Sequence, residues 1–469
     1  MSATRLHGNA NKQGNAKPQI GKEAKDASLG LDDPSKGDAG IPKGYKWTEV
    51  GVIPEDWEVK QLRKISPAQS VGLVINPSSY FNDQGTVPML VGSNIGENVI
   101  DWEFAKRISA ESNVQIPASR LSAGDLVTVR VGEPGVTSVV PPEIDGCNCA
   151  SMMIIRKHQS FDSNWLCFVM NSSVGRCQVA NVQYGTAQKQ FNISDAVRFA
   201  YPVPPLVEQR AIAKALLDTD CLIEALETLI AKKRAIKQAA MQQLLAGKTR
   251  LPGFSGAWRK VVLGEHVTYL RNGVNARAEL TNDGSIKYLH YGDIHTSNQV
   301  RLDPQAAEMP RLSVERAQTL DRLRNGDLVF VDASEDLDGV GKSLAIYGIS
   351  DAQVVAGLHT IAARFDKSVI ADGFKAYLQF CPAFRDQLKR LAAGTKVFAT
   401  NRTHISSAKI RLPDTEEQTA IATVLSDMDT EIAALERRRD KTRAIKQGMM
   451  QQLLTGRIRL VEPKAKEAP

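Results

Sequence analysis

Residues 204–251 read PPLVEQRAIAKALLDTDCLIEALETLIAKKRAIKQAAMQQLLAGKTRL, and residues 413–460 read PDTEEQTAIATVLSDMDTEIAALERRRDKTRAIKQGMMQQLLTGRIRL. At an offset of 209 they align without a gap, with 27 of 48 positions identical. Shared helical composition scatters matches, but it does not place RAIKQ, MQQLL and G-[KR]-x-R-L in register. The chain carries an internal duplication, and a repeat fixes architecture before any single motif does.

Both segments read as long helices. Pro204 and Pro413 stand just before the start, and Glu208, Glu416 and Glu417 suit the positive helix end. Ala, Leu, Gln, Lys and Glu dominate, and Gly247 and Gly456 stand where a C-terminal cap belongs. Apolar residues recur at a 3–4 spacing: Ile212, Leu216, Ile223, Leu226 and Ile230, then Ile421, Leu425, Met428, Ile432 and Leu435. That is a heptad seam, interrupted by Thr219 and by basic residues further on. Such helices span roughly 60 Å at about 1.5 Å per residue. Two matching stripes in one chain suit an antiparallel intramolecular coiled coil; the alternative is two separate partner-binding helices.

The duplication extends upstream. IPEDWEVKQL (53–62) resembles LPGFSGAWRKVVL (251–263), LSAGDLVTV (121–129) resembles LRNGDLVFV (323–331), and Gly185-Thr186 resembles Gly394-Thr395. VPMLVGSNI, DLVTVRV, TSVV and ASMMIIRK read as strands in the first variable segment, with WLCFVMNSSVG a short helix or strand. KYLHYGDI, DLVFVDA, KSLAIYGI and GLHTIAARF read as strands in the second, followed by a helix in GFKAYLQFCPAFRDQLKRLA. The expected class is α+β: two tandem mixed α/β globular domains separated by two long helices, with pseudo-twofold character. The expected division is a disordered leader (1–45), a first domain (46–203), a central helix (204–250), a second domain (251–411), a C-terminal helix (412–460) and a frayed tail (461–469).

Composition limits function without deciding it. Hydrophobic residues at 42% and charged residues at 24% suit a globular chain, while a net charge of +7 is compatible with a polyanionic partner. Cys147, Cys149, Cys167, Cys177, Cys221 and Cys381 include no CxxC pair, so neither a zinc site nor a disulfide framework is expected. No uninterrupted apolar stretch has membrane-spanning length, and a cytoplasmic protein is expected.

Motifs with catalytic associations fall away on inspection. Asp338-Gly339-Val340-Gly341-Lys342-Ser343 ends like a phosphate loop, but Asp336 stands where the first glycine belongs; a tight turn with an exposed lysine is expected. Asn76-Pro77-Ser78-Ser79-Tyr80 only superficially resembles an adenine-methyltransferase loop and reads as a turn. His290, Asp293 and His295 lack a third distant ligand, so no metal is expected there. No catalytic residue is expected anywhere.

DNA contact is the better use of the polar loops. GTAQKQFNIS (185–194) and GTKVFATNRTHIS (394–406) concentrate side chains that bond base edges and phosphates. The candidate residues are Arg107, Arg130, Thr186, Gln188, Lys189 and Gln190 in the first domain. In the second they are Arg271, His290, Tyr291, Lys342, Thr395, Lys396, Asn401 and Arg402.

The repeated pattern P-x-x-x-E-Q-x-x-I … K-x-R-A-I-K-Q … Q-Q-L-L-x-G-[KR]-x-R-L resembles the DNA-specificity subunit of type I restriction-modification enzymes. GYKWTEVGVIPEDWEVKQL (44–62) resembles the family's entry to the first target-recognition domain, and DLVFVDASEDLDGVGKS (327–343) its second-domain loop. The resemblance covers about residues 41 to 460; the polar leader departs from it. It implies that each variable domain reads one half of a bipartite, asymmetric site on double-stranded DNA while the helices set the spacer. It also implies docking of two modification subunits that methylate adenine N6 with S-adenosylmethionine, and, where restriction is present, two further subunits using ATP and Mg. No cofactor is expected in this chain. Alternatives are a modification-only or other multisubunit methyltransferase system, a protein-only coiled-coil scaffold and a self-contained enzyme.

Overall fold

The computed structural model describes residues 41–462 except 187 and 395; the expected leader up to residue 40, the tail from 463 and Thr395 lie outside the described residues. Helices and strands are mixed throughout, as the α+β reading requires. Two compact units divide the chain: residues up to Ile223 with those from Lys441 onward, and Glu224–Asp440. These units cut across the six expected segments, because each long helix, Leu206–Leu244 and Thr415–Leu453, contributes one part to each.

In the first unit, a four-stranded sheet runs in the order Gln69–Val71, Met152–Ile155, Leu126–Val129, Thr137–Val139. A three-stranded sheet runs Asn148–Cys149, Val87–Leu90, Lys106–Ile108, its first pair parallel. Glu58–Gln61 pairs with Ala200–Val203 just before the long helix. Buried on both faces, Leu126–Val129 and Met152–Ile155 read as continuous apolar runs rather than alternations.

The second unit repeats this strand order. Val267–Tyr269, Thr360–Phe365, Leu328–Val331 and Ser343–Ile346 form its larger sheet, extended by Arg301–Leu302. Val354–Ala356, Ile286–Leu289 and Arg311–Leu312 form the smaller one, again with one parallel pair, and Arg259–Val262 pairs with Lys409–Leu412.

The repeated G-D-L-V motif has a physical basis. Gly124 and Gly326 both turn the chain at left-handed φ, +90° and +89°. The aspartates that follow, Asp125 and Asp327, are buried and each meets an arginine from the neighbouring strand region, Arg156 at 2.8 Å and Arg364 at 2.7 Å. The Asp327 carboxylate in turn raises the Arg364 guanidinium pKa.

Within each unit the long helices run antiparallel. In the second unit Lys233 meets Glu431 at 2.7 Å, while Lys237, one turn later, meets Asp429. In the first, Asp220 pairs with Lys446 at 2.5 Å and the Thr219 hydroxyl lies 3.7 Å from Met449 Sδ. The apolar stripe has two jobs. Ile212 and Leu216 enter the first unit's core beside Trp57, Trp165 and Leu453. Ile421 and Leu425 enter the second unit's core beside Phe374 and Tyr377. Leu226, Ile230 and Ile432 are buried outside both cores, whereas Ile223, Met428 and Leu435 are only half-buried.

Three local readings need correction. HYGDI is a strand end followed by a helix, Tyr291–Thr296. The long helix expected at GFKAYLQFCPAFRDQLKRLA is broken into Asp372–Lys375, a 3-10 turn and Pro382–Leu391, with Pro382 at the first position of the last piece. Lys342 is half-buried rather than exposed, and its ammonium donates to the His295 carbonyl.

Candidate nucleic-acid interface

In the first unit, reciprocal 2.9 Å bonds between Tyr184 and Gln190 close a tight loop. Gly185 turns it at φ +99°, where a Cβ would stand 2.3 Å from the Gln188 carbonyl. Thr186, Gln188 and Lys189 are exposed on the loop and Gln190 is half-buried at its base. The loop leans on the end of strand Leu126–Val129: Gly132 N–H donates to Lys189 O at 3.0 Å and Phe191 N–H to Arg130 O at 3.3 Å. Five of the six first-domain candidates therefore meet at one place. Arg107 lies on the smaller sheet, donating to Thr86 O at 3.0 Å.

The second unit builds the same device. Ala399 N–H donates to Ala393 O at 2.9 Å, Gly394 turns the loop at φ +135°, and Phe398–Ala399 pairs with Ala333–Ser334. Thr400 N–H donates to Asp332 O at 2.7 Å, as Phe191 does to Arg130. Lys396 is exposed on the loop. Asn401 caps the helix Arg402–Ser407 by accepting from His404 N–H at 2.9 Å. The Arg402 guanidinium donates to Leu270 O at 2.9 Å and lies over the Tyr269 ring, so it braces the loop. The Arg271 side chain is largely exposed, and its backbone N–H donates to the Asp321 carboxylate at 2.7 Å.

His290 and Asp293 are a helix cap. His290 Nδ1 accepts from Gly292 N–H at 3.2 Å, the Asp293 carboxylate accepts from His290 N–H at 3.1 Å, and Arg277 holds that carboxylate at 2.8 Å. Burial pushes the His290 pKa down, as an accepting imidazole requires. Among the described residues no group of three His, Cys, Asp or Glu could hold a metal ion. Tyr291, at the head of the same helix, is exposed with its ring 5.5 Å edge-on to His359 and 6.1 Å from His295. His295 Nε2 lies 2.9 Å from Ala333 O, which joins His290, Tyr291 and Lys342 to the root of the 393–399 loop.

Two members of this cluster escape sequence reading. His359, exposed at left-handed φ +56°, precedes strand Thr360–Phe365 and faces Asp332, with Nδ1 3.3 Å from Oδ1. Aligning DLVTV-R with DLVFV-D would have flagged Asp332; nothing local flags His359.

The chain is similar to type I restriction enzyme specificity subunits. A Methanocaldococcus jannaschii protein assigned as the MjaX type I restriction enzyme specificity subunit is 23% identical over 432 residues, covering 89% of this chain and 97% of that one. The EcoKI specificity subunit of Escherichia coli K12 is 21% identical, covering 79% and 82%. The MjaVIII specificity subunit of M. jannaschii is 27% identical over 216 residues, 45% of this chain and 50% of that one. In fold, the crystal structure of a type I restriction-modification S subunit from M. genitalium matches at TM-score 0.54 and 12% identity, over 85% of this chain and 96% of the other. No family model matches. These relatives are named for specificity, which agrees with the resemblance read from the repeat.

Proposed function

We propose that this chain is the non-catalytic DNA-specificity subunit of a type I restriction-modification complex. Residues 46–203 and 251–411 are its target-recognition domains, and each reads one half of an asymmetric, bipartite site. Residues 204–250 and 412–460 form an antiparallel coiled coil that sets the spacer. Half-sites one duplex turn apart are roughly 34 Å between centres. A 39-residue helix is long enough to hold two readers at that separation.

The observation that carries this reading is the repeated strand order bearing unlike loops. The 184–190 loop presents Gln188 and Lys189, whereas the 393–399 loop presents Lys396 beside a His–Tyr–Asp cluster. A constant scaffold with divergent loops is how specificity changes while assembly is preserved. Two unlike readers suit an asymmetric sequence, whereas a homodimer suits a palindrome. Chemistry belongs to partners in this reading: adenine-N6 methyltransferase subunits carrying S-adenosylmethionine, and restriction subunits using ATP and Mg. The test is to express the full chain with its methyltransferase partner and map methylated adenines. A split motif, with one half changed by exchanging residues 57–202 for another such domain, supports the reading. No methylation of any duplex, or an unchanged motif after the exchange, refutes it.

A further inference from the structure

The two lobes carry opposite charges at one shared backbone position. Arg130 directly follows strand Leu126–Val129, and Asp332 directly follows strand Leu328–Val331. Each offers its carbonyl to the loop that leans on it, to Phe191 N–H and Thr400 N–H respectively. The position is therefore the root of the polar loop in both units.

A second shared position faces it. The last register pairs are Val129 with Met152 and Val331 with Thr360, so one step further Arg130 faces Ser151 and Asp332 faces His359. Asp332 N–H donates to His359 O at 3.2 Å, which continues the ladder. Ser151 and His359 are two of three non-glycine residues at positive φ among the described residues, +58° and +56°, and both are exposed. Backbone strain repeated at one place in two diverged lobes marks a functional position.

The side chains there are also incompletely satisfied. Arg130 Nε and Asp332 Oδ1 are each buried without a hydrogen-bond partner, and so is Thr400 Oγ1 beside Asp332. His359 Nδ1 approaches Asp332 Oδ1 at 3.3 Å but does not align as a donor. Orphaned polar atoms of opposite sign, at matching places, ask for ligands of opposite hydrogen-bonding character.

We propose that positions 130 and 332 are the base-reading positions of the two lobes, an inference that rests on the DNA-specificity reading above. Arg130 takes a guanine, whose O6 and N7 match the guanidinium fork. Asp332 takes a base that offers an exocyclic amino group in the major groove, cytosine or adenine. The Asp332 carboxylate, beside His359 at the loop root, repels phosphates and suits an amino donor rather than the DNA backbone. Ser151 and His359 are positioning residues that shape the approach.

The test is selection from a duplex library with a randomised bipartite site, using the full chain in complex with its methyltransferase partner. Arg130→Ala is expected to relax one G·C position in one half-site by about ten-fold or more, and Asp332→Ala one position in the other half. The remaining positions should keep their base preferences. If an alanine variant loses thermal stability, Arg130→Lys, which keeps the charge without the fork, and Asp332→Asn are read by the same criteria. Unchanged base preferences, or uniform weakening at every position, overturn the assignment. A wild-type complex that selects no split motif overturns the specificity reading itself, and this inference with it.

Discussion

Arg459 and Glu208, 251 positions apart, form a two-pronged ion pair with the guanidinium Nε 2.5 Å and Nη2 2.6 Å from the two carboxylate oxygens. Glu208 opens the first long helix and Arg459 follows the second, so each helix start is held by the chain leaving the other. Trp57 Nε1–H donates to the same carboxylate at 3.0 Å, and Arg459 also grips Asp56 at 2.9 Å. The second unit repeats the arrangement with Arg250 on Glu417 and over Trp258. The matched G-[KR]-x-R-L ends of the repeat are thus held by pairing across it.

Arg459→Ala is expected to destabilise the first unit by about 3 kcal/mol, because it leaves the 1%-exposed Glu208 carboxylate without its cation. Hydrogen exchange should report the loss around Trp57 and the start of the first helix. Arg250→Ala should act in the same way around Trp258. Asp56 is a weaker, pH-sensitive partner. Its hydrogen bond with Arg459 lowers its pKa, so its contribution is present above the ordinary carboxylate range and is lost as pH falls below it.

Gly448→Ala is expected to stabilise the chain. Gly448 lies inside Thr415–Leu453 with open space around a would-be Cβ, and its repeat counterpart is Ala239. A glycine inside a helix costs about 0.5–1 kcal/mol relative to alanine. A rise in thermal midpoint with unchanged DNA selection checks it.

Gly394→Ala and Gly185→Ala are expected to damage reading more than folding. The added Cβ would stand 1.8 Å from Val397 O and 2.3 Å from Gln188 O, at φ values that disfavour side chains. Each change should cost about 1–3 kcal/mol, confined to one loop. Binding to duplexes altered in one half-site at a time should show each variant losing discrimination in a different half.

His290 makes the second interface acid-sensitive. Its folded pKa is lowered, first by burial and then by the nearby Arg277 and His359 charges, against an opposing pull from Asp293. The unfolded chain therefore binds the proton more readily, and stability is full at neutral pH and falls as pH drops through about 6.5. Exchange protection of Tyr291–Thr296 should decline over that window. His290→Asn, which keeps an N-cap acceptor, should remove the dependence.

The long helices and the two polar loops were legible in the sequence, the helices from their periodicity and the loops from the polar side chains that follow a repeated Gly-Thr. The division of the seam was not. Ile212 and Ile421 look like any heptad residue, yet they dock into the cores because those cores arrive from chain far upstream. Arg402 and Lys342 read as candidates for DNA contact, but each donates to a backbone carbonyl remote in sequence, that of Leu270 and that of His295. The Asp332–His359 juxtaposition depends on the register of Leu328–Val331 with Thr360–Phe365, which no local pattern encodes.

Spacer dependence tests the central claim most directly. The complex of this chain with its methyltransferase partner should be presented with duplexes holding both half-sites at every separation from a few to twenty base pairs. One separation should be methylated, with a sharp fall on adding or removing a single pair. Leu226→Asp, placing a charge at a buried helix position, should broaden that optimum while leaving each half-site preference intact. Equal methylation at all separations, or an optimum unmoved and unbroadened in Leu226→Asp, would contradict a helix pair that fixes the distance between two readers.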